Sequence, residues 1–312
     1  MAAARGRIDI AVMSEHQTSP DAFADLSDAI QRRVAAATPL VAGLIWNGRG
    51  QLSATLWRGG VLVTSEQGLP NRGDFTAILP GNRRVAATLA GRDPSTNVAA
   101  LRIEADAVPF ERAAPSAPGA LILALGSDGA GGVTARMSGI EVQGPAWESQ
   151  RGGKIDHLVR IGAQIGPGAE GGPVLDARGA VLGMSTFGPR RTVLVIPSAT
   201  IDRALTPLLE QGRIARGWLG VGLQQVVLPA DIAARAGAPH GLMVMSFADT
   251  APAAGKLLPG DILTAIDGSP VAELRDVASR LGPDTVGRDL SLAVVRAGAM
   301  TTVSVTITAR PE

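Results

Sequence analysis

The sequence contains no cysteine. Disulfide bonds, thiol nucleophiles and metal sites built from cysteine are therefore excluded. This absence leaves the compartment open, because a chain without thiols suits a reducing or an oxidising environment. No other cofactor-binding or metal-ligand motif is present, so the sequence predicts neither a cofactor nor a metal site.

An excess of charge of either sign is also missing, since 29 basic residues face 28 acidic ones and the net charge is +1. This balance gives no electrostatic argument for nucleic acid or an anionic membrane. No apolar run approaches the ~18 residues of a membrane-spanning helix, and the N-terminus lacks the apolar core of a secretion signal. We expect no nucleic-acid partner and no membrane span, and a cytoplasmic location if this N-terminus is native; Met13 is an alternative start.

The composition that is present predicts a folded, mainly β protein of about two domains. Hydrophobic residues make up 46% of the 312 positions, and 39 glycines and 21 prolines divide the chain into short segments. Between about residues 40 and 200, short apolar runs are bounded by turn residues, as in barrels and sandwiches. A helix is predicted over 20–37, capped by Ser19 and Pro20, with a buried stripe formed by Phe23, Leu26, Ile30 and Val34.

The pattern changes near Arg213–Arg216. A helix over "ATIDRALTPLLEQG" ends at Gly212, and a small mixed domain of about 95 residues follows. Its strands include "GWLGVGLQ" and "GLMVMSF", with turns at Asp267-Gly268 and Ala297-Gly298. Its helix has four apolar residues at helical spacing: Leu274, Val277, Ala278 and Leu281.

The stretch "GPGAEGGPV", residues 166–174, has the spacing of a G-x-S-G-G-P loop. In serine proteases such a loop carries the nucleophile, but this sequence has Glu170 at the serine position. A glycine turn alone is a weak signal, and the neighbouring segments decide its meaning.

Over residues 22 to 310 the chain resembles the HtrA/Deg serine proteases. The resemblance rests on "LVTSEQGLP", "LAGRDPSTNVAALRI", "IGPGAEGGPVLDARGAVLGMST", "EQGRIARGWLGVGLQ" and "LLPGDILTAIDGSPV", in family order and spacing. It implies an N-terminal tail (1–21), a trypsin-like double six-stranded β-barrel (22–212) and a PDZ domain (213–312). It also implies an extracytoplasmic location and a trimer formed through the N-terminal segment, with Phe23 as a candidate contact.

The same resemblance shows that the catalytic positions are changed. Gln67 stands where the family has its histidine base, Asn97 where it has the aspartate, and Glu170 where it has the serine. A neutral amide cannot take the proton of a nucleophile, and a carboxylate is a poor nucleophile towards an amide bond. The three positions therefore predict a degenerate triad, in which Gln67 and Asn97 hydrogen-bond one another.

In the family, amides of the same loop form the oxyanion hole, which maps to Gly168 and Glu170, with Gly171 beside them. One interpretation is that the glycines are kept because the backbone needs them. The other is that the Glu170 carboxylate, or a bound anion, occupies those amides. A metal held by Glu170 with Asp156 or His157 has no ligand spacing to support it.

The PDZ-like segment retains the features of a peptide site. By resemblance, the backbone N–H groups of its carboxylate-binding loop receive a peptide's C-terminus, the following strand pairs with the peptide, and helix 273–281 forms the other wall. These residues are Gly217, Trp218, Leu219, Gly220, Val221, Gly222 and Leu223. The alternative is that the loop only closes the module and the chain itself fills the groove.

The leading prediction is an inactive HtrA-like pseudoprotease that binds peptides or unfolded-protein segments as a scaffold, chaperone-like or regulatory subunit. It would act as a homo-oligomer or in a hetero-assembly. One rival is an active serine endopeptidase with another nucleophile, and the other is a purely structural assembly subunit. The residues available to a relocated triad are Ser138, Ser185, His16, His157 and His240.

Overall fold

The computed structural model describes residues 21–48, 50–71 and 73–311. The predicted helix cap at Ser19 and Pro20 lies outside these residues, as does His16. The first helix, α1, spans Ala22–Ala37.

Helix α1 meets the core only through its C-terminal half. Ile30 and Val34 pack against buried residues as predicted. Phe23, however, is 89% exposed and Leu26 is 43% exposed. The predicted buried stripe is wrong at these two positions, because packing against the main core begins at Ile30.

The first six strands close into a barrel in the spatial order β1-β2-β3-β6-β5-β4. Leu44, Leu62 and Leu101 are fully buried among its apolar side chains. The strands are β1 (Val41–Trp46), β2 (Gly50–Arg58), β3 (Val61–Ser65), β4 (Phe75–Leu79), β5 (Arg83–Asp93) and β6 (Val98–Arg102).

A second barrel closes in the order β11-β14-β13-β12-β7-β8, with the β9–β10 hairpin outside it. A turn at 176–179 joins β12 to β13. The strands are β7 (Leu121–Ser127), β8 (Val133–Gly144), β9 (Trp147–Glu148), β10 (Lys154–Ile155), β11 (Leu158–Ile161), β12 (Pro173–Asp176), β13 (Val181–Phe187) and β14 (Val193–Pro197). The predicted mainly β fold with two six-stranded barrels is confirmed.

The largest buried cluster lies where both barrels meet helix α2 (Ser198–Gln211). Trp57 of the first barrel belongs to this cluster and donates from Nε1 to Asp202 Oδ1 at 2.7 Å. The helix ends as predicted at Gly212, which has the left-handed φ of 74°. Helix α2 therefore fixes the barrels relative to one another.

The C-terminal region contains a sheet in the order β16-β17-β18-β20-β21, with β19 beside β18 and a separate β15–β22 pair. The turns predicted at 267–268 and 297–298 are present. Of the apolar residues at helical spacing in its helix, Leu274 is 58% exposed, while Val277 and Leu281 are buried. The elements are β15 (Gly217–Trp218), β16 (Val221–Val227), α3 (Ala230–Ala236), β17 (His240–Phe247), β18 (Ile262–Ile266), β19 (Ser269–Pro270), α4 (Leu274–Arg280), β20 (Asp289–Arg296), β21 (Ala299–Thr306) and β22 (Thr308–Ala309).

Candidate functional site

Two glycines of the 166–174 loop, Gly171 and Gly172, are required by close backbone packing. Gly171 has a φ of 89°, and a side chain there would collide with the Ser53 carbonyl. A side chain at Gly172 would collide with the Leu125 carbonyl. Ser185 holds the turn by two backbone hydrogen bonds of 2.9 Å, accepting from Gly171 and donating to Gly172. The backbone therefore needs glycine at positions 171 and 172, whereas a side chain at Gly168 would approach only the side chain of Gln51.

Strand β2 of the first barrel holds the same loop from its other side. The Ser53 amide donates to the Glu170 carbonyl at 2.9 Å. The Ser53 hydroxyl donates to the Gly168 carbonyl at 2.7 Å and accepts from the Ser127 amide at 2.8 Å. One serine thus fixes the backbone on both sides of Ala169.

The structure brings Gln67, Asn97 and Glu170 into one polar cluster at the junction of the barrels. Gln67 Nε2 donates to Glu170 Oε1 at 2.6 Å, and the Gln67 amide donates to Asn97 Oδ1 at 2.8 Å. The side chains of Gln67 and Asn97 meet through a shared acceptor, Thr186 Oγ1, at 3.0 and 2.7 Å. The predicted hydrogen bond between Gln67 and Asn97 therefore comes from the Gln67 backbone amide, and their side chains are linked only through Thr186.

Glu170 is buried, with 5% of its surface exposed. Its Oε1 accepts from four donors: Ser65 Oγ at 2.8 Å, Gln67 Nε2 at 2.6 Å, Thr186 Oγ1 at 2.8 Å and the Phe187 amide at 3.2 Å. All four donors are neutral. The Glu170 carboxylate is therefore stabilised by neutral dipoles. Hydrogen bonds to a carboxylate are about twice as strong as those between neutral groups.

The proton pattern of this cluster follows from its amides. Asn97 Nδ2 donates to Ser65 Oγ at 3.0 Å and to Thr186 Oγ1 at 2.7 Å. Each hydroxyl has a single proton. The Thr186 hydroxyl donates to Glu170 Oε1, while the Ser65 hydroxyl has two acceptors within reach, Glu170 Oε1 at 2.8 Å and Asn97 Oδ1 at 3.2 Å.

Sequence reasoning missed Ser65, Thr186 and Phe187. Ser65 stands two residues before Gln67 at the end of β3, where its proximity to the site was visible in the motif. Thr186 and Phe187 end strand β13, and only the pairing of β13 with β12 brings them beside residue 170. No local spacing signals that approach.

The Glu170 amide donates to the Pro167 carbonyl at 3.4 Å, within a tight turn over Pro167–Ala169. An amide of the predicted oxyanion hole therefore faces a carbonyl of its own turn. The alternative that the Glu170 carboxylate bonds the loop amides is wrong, because that carboxylate points to Gln67 and Thr186 instead.

A cavity of about 390 Å³ adjoins the cluster. Phe187 lines this cavity. Its backbone amide donates to Glu170, and its carbonyl accepts from Gln67 Nε2 at 2.9 Å. Arg191 stands over the Phe187 ring with its guanidinium carbon 5.5 Å from the ring centroid. Gln164 and Ile165, just before the loop, complete this part of the wall.

The loop before β16 keeps part of the predicted peptide site. Gly220 has a φ of 72°, and a side chain there would collide with Ala251. Among described residues, β16 pairs only with β17, so its other edge is open. The Gly217 amide is used within the fold, donating to the Leu281 carbonyl at 3.1 Å. The prediction that Gly217 offers its N–H to a peptide is therefore wrong, while Leu219 and Gly220 donate no backbone hydrogen bond to a described residue.

Residues 43–184 match the family of trypsin-like peptidase domains, and residues 217–307 match the PDZ domain family. The chain is 30% identical over 267 residues to a probable periplasmic serine endoprotease DegP-like of Brucella suis biovar 1 (strain 1330), covering 81% of this chain and 51% of that protein. A DegP-like relative of Rhizobium meliloti (strain 1021) is 28% identical over 266 residues, with 81% and 52% covered. The chain is a homologue of the HtrA-type serine proteases.

Solved structures agree with this relationship. The HtrA-type protease AlgW with decapeptide superposes with a TM-score of 0.70 at 25% identity, covering 90% of this chain and 99% of that one. AlgW with tripeptide gives a TM-score of 0.68 at 27% identity, covering 90% and 97%. This HtrA homologue spans about half the length of the two DegP-like relatives. None of its described helices is long and apolar enough to cross a membrane.

The described residues available to a relocated triad lie on different strands and connecting segments of this HtrA homologue. Ser185 donates to loop carbonyls at 3.3 Å. His157 Nδ1 is buried without a hydrogen bond to a described residue, and His240 begins β17 in the PDZ domain. Ser138 lies on β8, paired with Ile122.

A metal site at Glu170 has no support from Asp156. This carboxylate accepts from Thr200 at 2.7 Å and Arg203 at 2.6 Å. Burial works against its ionisation, but these hydrogen bonds and the charges of Arg203 and Lys154 hold its pKa below the usual value. The described residues contain no group of three or more histidine, aspartate or glutamate side chains placed to bind a metal.

Proposed function

We propose that this HtrA homologue is catalytically inactive and acts by binding peptide segments. The observation that carries this proposal is the donor environment of Glu170 Oε1. Gln67 directs an N–H at residue 170, where a general base would have to present a lone pair. Asn97 is neutral and donates to two hydroxyls, so it supplies no charge to orient or stabilise a base.

The loss expected from these substitutions is large. Removing a Ser-His-Asp triad costs a factor of about 10⁶ in kcat, which corresponds to about 8 kcal/mol of barrier. The Glu170 carboxylate cannot compensate, because four hydrogen bonds on Oε1 reduce its nucleophilicity. The Glu170 amide faces the Pro167 carbonyl, which weakens the oxyanion site as well.

Peptide binding is assigned to the PDZ domain. An open edge strand offers main-chain hydrogen bonds to an extended peptide, which is β-augmentation. In this chain β16 has such an edge, and the amides of Leu219 and Gly220 precede it. The related AlgW structures carry a decapeptide or a tripeptide, which supports a peptide ligand here. The expected ligand is a C-terminal or unfolded segment, and the expected role is that of a scaffold, chaperone-like or regulatory subunit.

The proposed location follows the relatives, and the proposed assembly rests on the exposed end of α1. We propose an oligomer formed through the exposed N-terminal half of α1, where Phe23 is 89% exposed. The DegP-like relatives are named as periplasmic, and we propose an extracytoplasmic location for this chain.

Labelling with a fluorophosphonate probe, together with cleavage of unfolded casein, tests the inactivity. The purified full chain is expected to show neither, beside trypsin as a positive control in the same buffer. If one serine were labelled and casein were cleaved, the chain would be an active endopeptidase and the proposal would be refuted.

Fluorescent peptides with a free C-terminal carboxylate test the binding role, with the matching C-terminal amides as controls. The full chain is expected to bind carboxylate peptides at least about tenfold more tightly, because the loop amides prefer an anion. Val221→Arg, at the loop end of β16, is expected to abolish this preference, and Val227→Arg at the far end of the strand is its matched control. Failure of every peptide to bind would favour a structural assembly subunit.

A further inference from the structure

A cleft of about 510 Å³ lies between the protease-fold domain and the PDZ domain. Its walls come from the β5–β6 turn, the β9–β10 turn, the interdomain segment 213–216, helix α4 and the C-terminal end of the described chain. One acidic side chain, Asp93, lines it. Six arginines line it, namely Arg92, Arg151, Arg213, Arg216, Arg275 and Arg310.

Two of these arginines have carboxylate partners. Arg92 Nε donates to Glu66 Oε1 at 2.7 Å, and Arg275 Nε lies 2.9 Å from Glu273 Oε2. Three others, Arg151, Arg216 and Arg310, have no carboxylate of a described residue within 4.0 Å of their guanidinium groups.

The acidic residue in the wall does not neutralise these three. Asp93 is 4% exposed, and its carboxylate accepts from the amide and hydroxyl of Ser95 and from those of Thr96. These local bonds hold the β5–β6 turn. The hydrogen bonds of Asp93 therefore serve the turn, and it acts on Arg216 only through its charge. Arg151, Arg216 and Arg310 are left without a carboxylate of a described residue in contact.

Arg216 is the most constrained of the three. It is partly buried, and its Nη2 donates to the Ala278 carbonyl at 2.9 Å. Gly152 packs so closely against Arg216 Nη2 and the Ala278 carbonyl that a side chain at residue 152 would collide with them. Burial lowers the pKa of Arg216, while Asp93, Glu148 and Asp284 act in the opposite direction from a distance. The guanidinium is thus held in place without a carboxylate in contact.

An adjoining cavity of about 570 Å³ shares Arg216 but has balanced charge. Its basic side chains Lys154, Arg203 and Arg216 face the acidic Asp93, Glu148 and Asp284. The excess of positive charge therefore belongs to the first cleft and not to the whole interdomain region.

We propose that the arginine-lined cleft binds a small polyanion that carries phosphate or carboxylate groups. Guanidinium groups match both anions through paired N–H donors. The volume lies within the ~300–1,000 Å³ range of small-molecule sites, which often occur between domains. Ile214, Leu274 and Ala278 add an apolar wall for the body of such a ligand. The bound anion touches both domains and links the PDZ domain to the protease-fold domain.

Calorimetric titration of the full chain with inorganic pyrophosphate, and in parallel with citrate, tests this site. At low salt we expect one anion per chain, with affinity falling as ionic strength rises. Arg151→Gln/Arg310→Gln is expected to weaken binding about tenfold or more, since it removes two charged donors of hydrogen bonds to the anion. The matched control is Arg84→Gln/Arg136→Gln, which removes the same charge from exposed positions on the two barrels.

The two anions distinguish the ligand chemistry. Tighter binding of pyrophosphate assigns a phosphate ligand, and tighter binding of citrate assigns a carboxylate ligand. Equal losses in the cleft and control variants would show non-specific charge attraction and overturn the proposal, as would the absence of saturable binding of either anion by the wild-type chain.

Discussion

Gln67 Nε2 and Glu170 Oε1 lie 2.6 Å apart, joining the two barrels by a hydrogen bond between residues 103 positions apart. The bond runs from an amide donor to a carboxylate acceptor, which reverses the polarity that proton abstraction at residue 170 would need. It also gives Glu170 a structural role, because Ser65 and Thr186 direct their hydroxyls at the same oxygen.

Glu170→Ala should destabilise the fold by about 2–4 kcal/mol, because the buried hydroxyls of Ser65 and Thr186 lose their carboxylate acceptor. Glu170→Gln keeps a carbonyl oxygen for those donors and should cost less. Urea denaturation of both variants measures the difference. An alanine variant as stable as the wild type would show that the cluster contributes no net stability.

Glu170→Ser alone should not create a protease, because Gln67 offers the new hydroxyl no lone pair of a base. The triple variant Gln67→His/Asn97→Asp/Glu170→Ser should be labelled by a fluorophosphonate probe, since the three positions already lie within hydrogen-bonding reach of one cluster. Labelling of the single variant to the same extent would refute the assignment of Gln67 to the base position.

Arg190→Gly should stabilise the protein by up to about 1 kcal/mol, because a left-handed backbone costs a non-glycine residue about 1–2 kcal/mol. Arg190 has a φ of 55° and is exposed. The matched opposite change is Gly81→Ala, at a φ of 72° with open space around it, which should destabilise by a similar amount. Thermal denaturation of the two variants checks the opposite signs.

The sequence predicted the fold class and the convergence of Gln67, Asn97 and Glu170, because the resemblance supplied the long-range pairing that spacing lacks. It could not show that Thr186 bridges the two amides, which depends on the register of β13. It also could not show that the Gly217 amide is used by Leu281, since that bond joins residues distant in sequence.

Apolar periodicity was informative only where the helix meets the core. In α1 the pattern continues through Phe23 and Leu26, yet both are exposed. In α4 the pattern includes Leu274, which faces the interdomain cleft. A helical stripe indicates which residues share a face, but the neighbouring elements decide how much of that face is covered.

Phe23→Ser should shift the chain towards smaller species in sedimentation velocity, if the exposed end of α1 is an assembly surface. Leu26, three residues after Phe23 in α1, lines a cavity together with Leu121 and Met137 of the second barrel, which are 47% and 52% exposed. Contiguous exposed apolar side chains of this kind mark interaction surfaces. Met245→Ser, at a 51% exposed position in the PDZ domain, is the control. Unchanged sedimentation of both variants would remove α1 from the assembly surface.

Acidification should destabilise the PDZ domain through Asp261, which is 2% exposed. Arg296 donates to its two oxygens at 2.8 and 2.7 Å, and the Leu258 amide donates at 2.8 Å. The hydrogen bond from Arg296 is the largest influence and holds the pKa of Asp261 below the usual 3.8 in the folded state. A folded pKa below the unfolded one means that the carboxylate stabilises the fold above pH 3.8, and that this contribution disappears as the pH falls through the folded value.

Asp261→Asn separates this effect from general acid denaturation. The variant should be less stable than the wild type at pH 7, and the difference between the two should shrink as the pH falls below 3.8, because the protonated wild type then resembles the amide. Chemical denaturation from pH 7 to pH 2 gives both curves. A difference that stays constant over this range would mean that the ionisation of Asp261 is not coupled to folding.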